Sequence, residues 1–101
     1  MNDETKNIAS QLLKENKYPH ILVLVFLFRE GKATLSNIQR ALAGGRYRAQ
    51  YNWTLGVLND LKNIGLVAEE KIQFTKFKVR VFYLTERGKL LGEYFAKVMN
   101  I

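Results

Sequence analysis

The segment Leu58–Val67, with the sequence LNDLKNIGLV, joins two kinds of local structure. Leu58 and Leu61 are three residues apart, the spacing that places side chains on the buried side of one helix. Gly65 ends that helix, because glycine readily adopts the left-handed backbone that helix C-termini use. The apolar pair Leu66–Val67 then begins an extended segment. The stretch therefore predicts a helix that passes directly into a β-strand.

Downstream of this junction we predict a two-stranded ribbon, Leu66–Phe74 and Phe77–Leu84, whose connection contains no glycine. Two sets of side chains alternate along the second strand with the two-residue period of a ribbon: Val79, Val81 and Tyr83 alternate with Lys78, Arg80 and Phe82. Thr85 is a good N-cap for a final helix, Glu86–Asn100.

Upstream, the helix that ends at the junction is predicted to span Arg48–Ile64. A helical wheel places several mostly apolar residues on its inward face: Tyr51, Thr54, Leu55, Leu58 and Leu61. The pair Gly44–Gly45 ends the preceding helix, Leu35–Ala43, whose N-cap is Thr34 or Ser36.

The N-terminal third is predicted to contain two helices and a very short strand. Asn2–Glu15 is amphipathic, with acids at its start and lysines toward its end. A second helix runs between Pro19 and Gly31, which suit a first helical position and a C-terminal cap. Its apolar run Ile21–Phe28 is too short to cross a membrane, which takes about 20 apolar residues. Ala33–Thr34 can pair as a strand.

The composition indicates a polyanionic partner. The chain has 101 residues, 48% of them hydrophobic, which is enough for the core of one domain. Lys and Arg number 16 against 9 Asp and Glu, a formal net charge of +7. This favours nucleic acid first and an acidic membrane surface second, with a basic surface kept for solubility as the alternative. Cysteine is absent, which excludes disulfides, thiolate zinc sites and cysteine nucleophiles.

Three segments, in this order and at these separations, resemble a winged helix-turn-helix domain: Gly31–Ile38, Leu58–Val67 and Tyr83–Gly88. The third is similar to the segment that leads into the final helix of small prokaryotic transcriptional regulators of the MarR and PadR kinds. The resemblance implies an α+β, mostly helical fold with residues 18–85 as the winged helix-turn-helix core. Residues 1–17 and 86–101 add an N-terminal and a C-terminal helix to the same domain.

The resemblance makes Arg48–Ile64 the recognition helix, which enters the major groove of double-stranded DNA. Residues 66–84 become the wing, which contacts the DNA backbone or the minor groove. Asn52 and Gln50 can each form two hydrogen bonds with adenine, and arginines can reach guanine or phosphate. The residues expected to contact DNA are Arg46, Tyr47, Arg48, Gln50, Asn52, Trp53, Gly56, Lys76, Lys78 and Arg80.

Two of these residues have a second explanation. A glycine inside a helix costs about 1 kcal/mol relative to alanine. Close approach of DNA or of another helix would offset that cost at Gly56, unless the glycine is simply tolerated. Trp53 is directed away from the core on the wheel, so it packs either on bases and sugars or across a neighbouring helix or a dimer partner.

The two terminal helices carry more apolar surface than so small a core requires, which predicts a homodimer. The residues expected at its interface are Ile8, Leu12, Leu91, Tyr94, Phe95 and Val98. A two-fold dimer would place its recognition helices about 34 Å apart, one turn of DNA, and favour a pseudo-palindromic site. Alternatively, both helices complete the core of a monomer.

No catalytic, metal or cofactor site is predicted. The only histidine, His20, lies at the start of a buried helix, where a hydrogen-bonded structural role is expected. Gly31–Thr34 resembles the end of a phosphate-binding loop, but Phe26 stands where that motif needs its first glycine. The carboxylates show no pairing that suits acid–base chemistry.

The sequence therefore predicts a dimeric, sequence-specific DNA-binding protein, most simply a transcriptional regulator of a prokaryote, without enzymatic activity. We expect it in the cytoplasm, associated with the nucleoid. One alternative is an architectural or plasmid-partition protein that spreads on DNA. The other is a winged helix used for protein–protein contacts.

Overall fold

The computed structural model describes residues 2–45 and 47–99, which form five helices and a small antiparallel sheet. In chain order the elements are α1 Asp3–Lys14, α2 Tyr18–Glu30, β1 Lys32–Thr34, α3 Leu35–Leu42, α4 Tyr51–Asn63, β2 Val67–Gln73, β3 Lys78–Leu84 and α5 Glu86–Met99. The strand order in the sheet is β1-β3-β2. The predicted α+β, mostly helical order of elements is confirmed, and the predicted end of the last helix at Asn100 lies outside the described residues.

Helix α2 forms the centre of the core, because apolar residues cover most of its circumference. Its buried residues are His20, Ile21, Val23, Leu24, Val25 and Leu27. Pro19 is the second residue of α2 rather than the predicted first residue, and Gly31 forms the expected C-cap with φ at +85°. Within residues 2–45 and 47–99, every helix is too short or too polar to cross a bilayer.

Two predicted N-caps are confirmed. The hydroxyl of Thr34 accepts a hydrogen bond from the Asn37 N–H at 3.2 Å at the start of α3. The hydroxyl of Thr85 accepts one from the Gly88 N–H at 3.1 Å at the start of α5. Each bond satisfies a backbone donor that the first turn of a helix leaves without a partner.

Two glycines let α5 pack closely on the core. A Cβ atom on Gly88 would lie 2.0 Å from the carbonyl oxygen of Leu66, and one on Gly92 would lie 2.8 Å from that of Leu24. Neither position has room for a side chain. These contacts fix α5 on the junction between α4 and β2, and on α2.

The predicted start of α4 is wrong, because the helix begins at Tyr51 rather than Arg48. A tertiary contact holds the preceding residues in a non-helical conformation. The Ala49 N–H donates to the Gln39 carbonyl at 3.0 Å, and Gln39 Nε2 donates to the Ala49 carbonyl at 2.9 Å. The buried Gln39 side chain thus fixes the connection to α3.

The predicted inward face of α4 needs correction at Tyr51 and Val57, and Leu55 is only half-buried. Tyr51 is 51% exposed, whereas Val57, which the wheel did not place inward, is 4% exposed. The buried residues are Thr54, Val57, Leu58 and Leu61. Tyr51 lies at the edge of this buried face of α4, beside Arg80 of β3.

Half of the residues predicted at a dimer interface lie inside the core of a single chain. Leu12, Leu91 and Phe95 are 6%, 0% and 0% exposed. They are buried because α1 and α5 pack against α2. The apolar stripes of the two terminal helices therefore contribute to the core of the single chain. Ile8 and Tyr94 are half-buried at the edge of that core, and Val98 is exposed.

Candidate nucleic-acid interface

The connection before α4 presents several of the predicted contact residues to solvent. Tyr47 is 68% exposed and Arg48 is also exposed. Arg46 lies outside the described residues. Gln50 is the N-cap of α4, but its side chain makes no capping bond, so its exposed amide stays available to a partner. Its carbonyl accepts from both the N–H and the hydroxyl of Thr54, each at 2.9 Å.

An exposed face of α4 carries amide side chains at regular spacing. Asn52, Gly56, Asn59 and Asn63 are all exposed and lie on one side of the helix, because residues three or four apart face the same way. We call these four residues the amide row. An asparagine amide can both donate to and accept from an adenine edge.

Asn59 and Asn63 are candidate site residues that the sequence analysis missed. Their signal was present in the sequence: they continue the line from Asn52 at the same helical period. Gly56 interrupts the row with an open position, since a Cβ atom there would meet nothing within 4 Å. Trp53 lies beside the row and is 45% exposed.

Helix α4 is anchored to α2 by a side-chain bond on the flank of the amide row. His20 Nε2 lies 2.8 Å from Asp60 Oδ2, and the histidine is 8% exposed. This contact agrees with the structural role expected for His20. Asp60 is the only carboxylate of α4, and its side chain remains 59% exposed on that flank.

The wing has two different faces, which the strand register defines. Lys71 pairs with Arg80, Gln73 pairs with Lys78, and Glu69 pairs with Phe82. Because paired residues, and residues two apart along a strand, lie on the same side of a sheet, these six side chains share one face of the wing. Phe82 is fully buried, and Glu69 on the same face accepts a hydrogen bond from Lys62 of α4, so this face is turned toward the core and α4. The cationic side chains of the wing therefore emerge on the side where α4 lies.

The lysines of the wing are not neutralised within the protein. Across the described part of the chain, no acidic side chain lies within ion-pair distance of Lys71, Lys76 or Lys78. All three are exposed. They remain available to phosphate groups.

Arg80 is engaged differently from the lysines. Its Nε and Nη2 donate to the two carboxylate oxygens of Glu69 at 2.6 and 3.1 Å, and Lys62 Nζ of α4 donates to the same carboxylate at 2.8 Å. The hydrogen bond from Arg80, followed by that from Lys62, lowers the pKa of Glu69 to about 2, against the opposing effect of burial. Bonding to Glu69, then to Tyr51, raises the pKa of Arg80.

The cluster of Glu69, Arg80 and Lys62 fixes the wing to α4. Its carboxylate is largely buried, with the side chain of Glu69 only 11% exposed. Arg80, which was predicted as a DNA contact, thus helps to hold the wing against α4 within the protein itself. The pairing of Glu69 and Arg80 depends on the strand register and was not visible from the sequence.

No protein-family model matches the chain, and no curated protein matches its sequence. Solved structures do match. Bacillus subtilis PadR in complex with operator DNA is 22% identical with a TM-score of 0.60, over 75% of this chain and 45% of the PadR chain. This chain therefore spans less than half of that relative's length.

Two further structures cover nearly the whole chain. A PadR-like transcription factor from Bacteroides fragilis is 25% identical with a TM-score of 0.66, over 93% of this chain and 90% of that one. A MarR family transcriptional regulator from Silicibacter pomeroyi is 20% identical with a TM-score of 0.69, over 95% and 61%. The arrangement of α2, α3, α4 and the β2–β3 wing is thus the winged helix-turn-helix fold found in PadR and MarR transcriptional regulators.

Proposed function

We propose that this protein is a sequence-specific, double-stranded-DNA-binding transcriptional regulator. Helix α4 enters the major groove, and the wing lies on the adjoining backbone or in the minor groove. The observation that carries the proposal is that the amide row and the wing lysines lie on adjoining surfaces, joined by the cluster around Glu69. The similar structures support it, because they are transcriptional regulators and one of them is bound to operator DNA.

Two kinds of side chain contact DNA in the proposed complex. Amides on α4 and at Gln50 meet base edges, where they can both donate and accept hydrogen bonds. The exposed cations Arg48, Lys71, Lys76 and Lys78 meet phosphates, which fixes the position of the protein on the duplex. The net charge of +7 accelerates encounter with a polyanion.

A second copy of the chain completes the regulator in this proposal. Leu90, Tyr94 and Val98 follow one another at every fourth residue of α5, and we call them the α5 stripe. Leu90 and Val98 are 45% and 58% exposed. Tyr94 borders a shallow groove that it shares with Leu13 of α1, which is itself 45% exposed. A two-fold axis through this surface would pair two α4 helices with successive turns of DNA.

Selection of duplexes from a random-sequence library by the full chain tests the proposal. We expect one enriched site. Replacing Asn52 by alanine should weaken that site about tenfold, within the 1–3 kcal/mol of a bidentate base contact, and should relax the preference at one base pair. Replacing Lys78 by alanine should instead weaken binding to all duplexes alike, because a phosphate contact carries no sequence information.

Three other results would contradict or redirect the proposal. Failure to enrich any sequence, together with unchanged duplex mobility at low salt, would contradict DNA binding and favour a protein-interaction module. A footprint that spreads outward as protein is added would indicate an architectural or plasmid-partition protein. Separation of the protein from the nucleoid in cell fractions would contradict the nucleoid association that we expect of a cytoplasmic DNA-binding protein.

A further inference from the structure

The tip of the wing carries a pair of exposed aromatic rings. Phe74 and Phe77 are 50% and 61% exposed, and their ring centroids lie 5.4 Å apart with the planes 25° from parallel. The turn is held by the Phe74 N–H, which donates to the Phe77 carbonyl at 2.8 Å, and by Gln73 Nε2, which donates to the Phe74 carbonyl at 2.8 Å. The two rings thus form a preorganised apolar block.

The aromatic pair continues the apolar face of the ribbon. Ile72 pairs with Val79 on the face opposite to the lysines, and alternation along the strands puts Phe74 and Phe77 next in that row. Ile72 is 39% exposed, so the apolar surface extends from the tip along the strand. The core does not use these side chains, and their exposure to water carries a cost in free energy.

The charges around the tip favour a polyanion as the occupant. Lys76 lies between the two phenylalanines in the sequence, Lys71 and Lys78 lie on the other face of the ribbon near its tip, and no Asp or Glu occurs from Lys71 to Val81. Two such tips on neighbouring copies would repel each other. A partner that offers phosphates outside and apolar stacked surfaces inside matches both features, and duplex DNA has this arrangement.

The tip also projects far enough to reach the interior of a groove. Val81 is the last buried residue toward the tip of β3, and Phe77 lies four residues before it in the chain, in the turn that precedes the strand. At about 3.3 Å per residue the rings lie about 13 Å beyond the core. The minor groove of B-DNA is about 7.5 Å deep.

We infer that Phe74 and Phe77 form a wedge that enters the minor groove and opens a base step, so that the bound duplex bends. The inference rests on the proposed function and adds a mechanical role to it. Apolar side chains inserted in this way kink DNA by roughly 20–90°. Pyrimidine–purine steps unstack most easily, so the wedge should prefer them, and should give specificity where no base edge is contacted.

The test uses the full chain and the 30-base-pair duplex that the wild-type protein selects from a random library. One copy of the duplex carries a donor and an acceptor dye at its ends, which report bending by energy transfer. A second copy carries 2-aminopurine at its pyrimidine–purine steps, where fluorescence rises on unstacking. The variants are Phe74→Ala/Phe77→Ala, the apolar replacement Phe74→Leu/Phe77→Leu, and Lys76→Ala as the charge control.

We expect wild-type protein to shorten the end-to-end distance and to raise fluorescence at one step. The double alanine variant should bind with an affinity within about tenfold of wild type and an unchanged salt dependence, but leave the duplex straight. The double leucine variant should retain bending. Lys76→Ala should bend DNA normally while its salt dependence falls. Circular dichroism should show all variants folded, and the single change Phe77→Ala serves if the double alanine variant unfolds.

A duplex that stays straight in the wild-type complex, or that bends equally with the double alanine variant, would overturn the wedge and leave DNA binding intact. Failure of the wild-type protein to bind any duplex would overturn both proposals. Tip-dependent flotation with phosphatidylserine vesicles, with bending unaffected, would overturn the wedge in favour of a membrane contact. A tip-dependent change in sedimentation, with bending unaffected, would overturn it in favour of self-association.

Discussion

At the scale of the residue, the glycine at position 56 lowers the stability of helix α4 in the free protein but suits the proposed complex with DNA. It lies in the middle of the amide row, and a Cβ atom there would meet no atom of the protein within 4 Å. Packing inside the chain therefore does not explain the glycine. Close approach of DNA to the α4 backbone explains it in the proposed complex, and a glycine that is simply tolerated is the alternative.

Replacement of Gly56 by alanine should stabilise the free protein and weaken its complex with DNA. The gain in the free energy of unfolding should be about 1 kcal/mol, because alanine is the better helix former. Denaturant unfolding and fluorescence anisotropy with the selected duplex measure the two effects. Asn7→Ala, at an exposed interior position of α1 outside the proposed DNA-binding surface, controls for helix propensity. Unchanged DNA affinity in Gly56→Ala would show that nothing approaches the helix closely at this point.

At the scale of the element, the cluster of Glu69, Arg80 and Lys62 determines how the wing stands relative to α4. Because the folded pKa of Glu69 is about 2, below its ordinary value of 4.5, its carboxylate stabilises the fold above pH 4.5. That stabilisation is lost as the pH falls from 4.5 toward 2. Arg80 and Lys62 are about one third exposed, so solvent screening reduces the contribution to about 1–2 kcal/mol.

Glu69→Gln should lower the free energy of unfolding by about 1–2 kcal/mol at pH 7 and flatten its decline between pH 5 and pH 2. Urea unfolding across that range measures both effects. Glu70→Gln is the matched control, because the partner of Glu70 is Lys32, which is 58% exposed, and such a surface pair contributes about 0–1 kcal/mol. Equal losses in the two variants would contradict a special role for Glu69.

Elements were predicted well wherever a local pattern sufficed. The alternation in β3 and the cap at Thr85 gave boundaries within one residue of those observed. The start of α4 was missed because the bond between Gln39 and Ala49 joins residues ten apart in the sequence, and nothing local to Arg48 signals it. The same limit applies to Arg80, whose carboxylate partner depends on strand register.

At the scale of the whole molecule, an amphipathic pattern identifies buried residues but not the chain that buries them. Leu91 and Phe95 belong to the core of one protomer, although the sequence placed them between two. The α5 stripe is the exposed apolar surface that the proposed dimer would bury. Asn59 and Asn63 illustrate a different limit of the sequence. Helical period predicts that both are exposed, whereas contact with DNA depends on the surfaces that lie around them.

Val98→Asp should convert the protein to a monomer, because a carboxylate placed in an apolar interface is desolvated without a partner. Analytical ultracentrifugation at micromolar concentration measures the change, and the apparent DNA affinity should fall with it. Lys89→Ala, elsewhere on the same helix, should leave the oligomeric state unchanged. A wild-type protein that sediments only as a monomer would contradict the dimer without affecting the DNA-binding surface.

The dependence of duplex affinity on salt concentration tests most directly whether α4 and the wing bind the same duplex together. If each protomer neutralises about four phosphates, a dimer neutralises about eight, and the logarithm of the binding constant should fall with the logarithm of salt with a slope near −7. In Lys78→Ala the slope should become shallower by about 2. A slope near −1, unchanged by that substitution, would contradict the account.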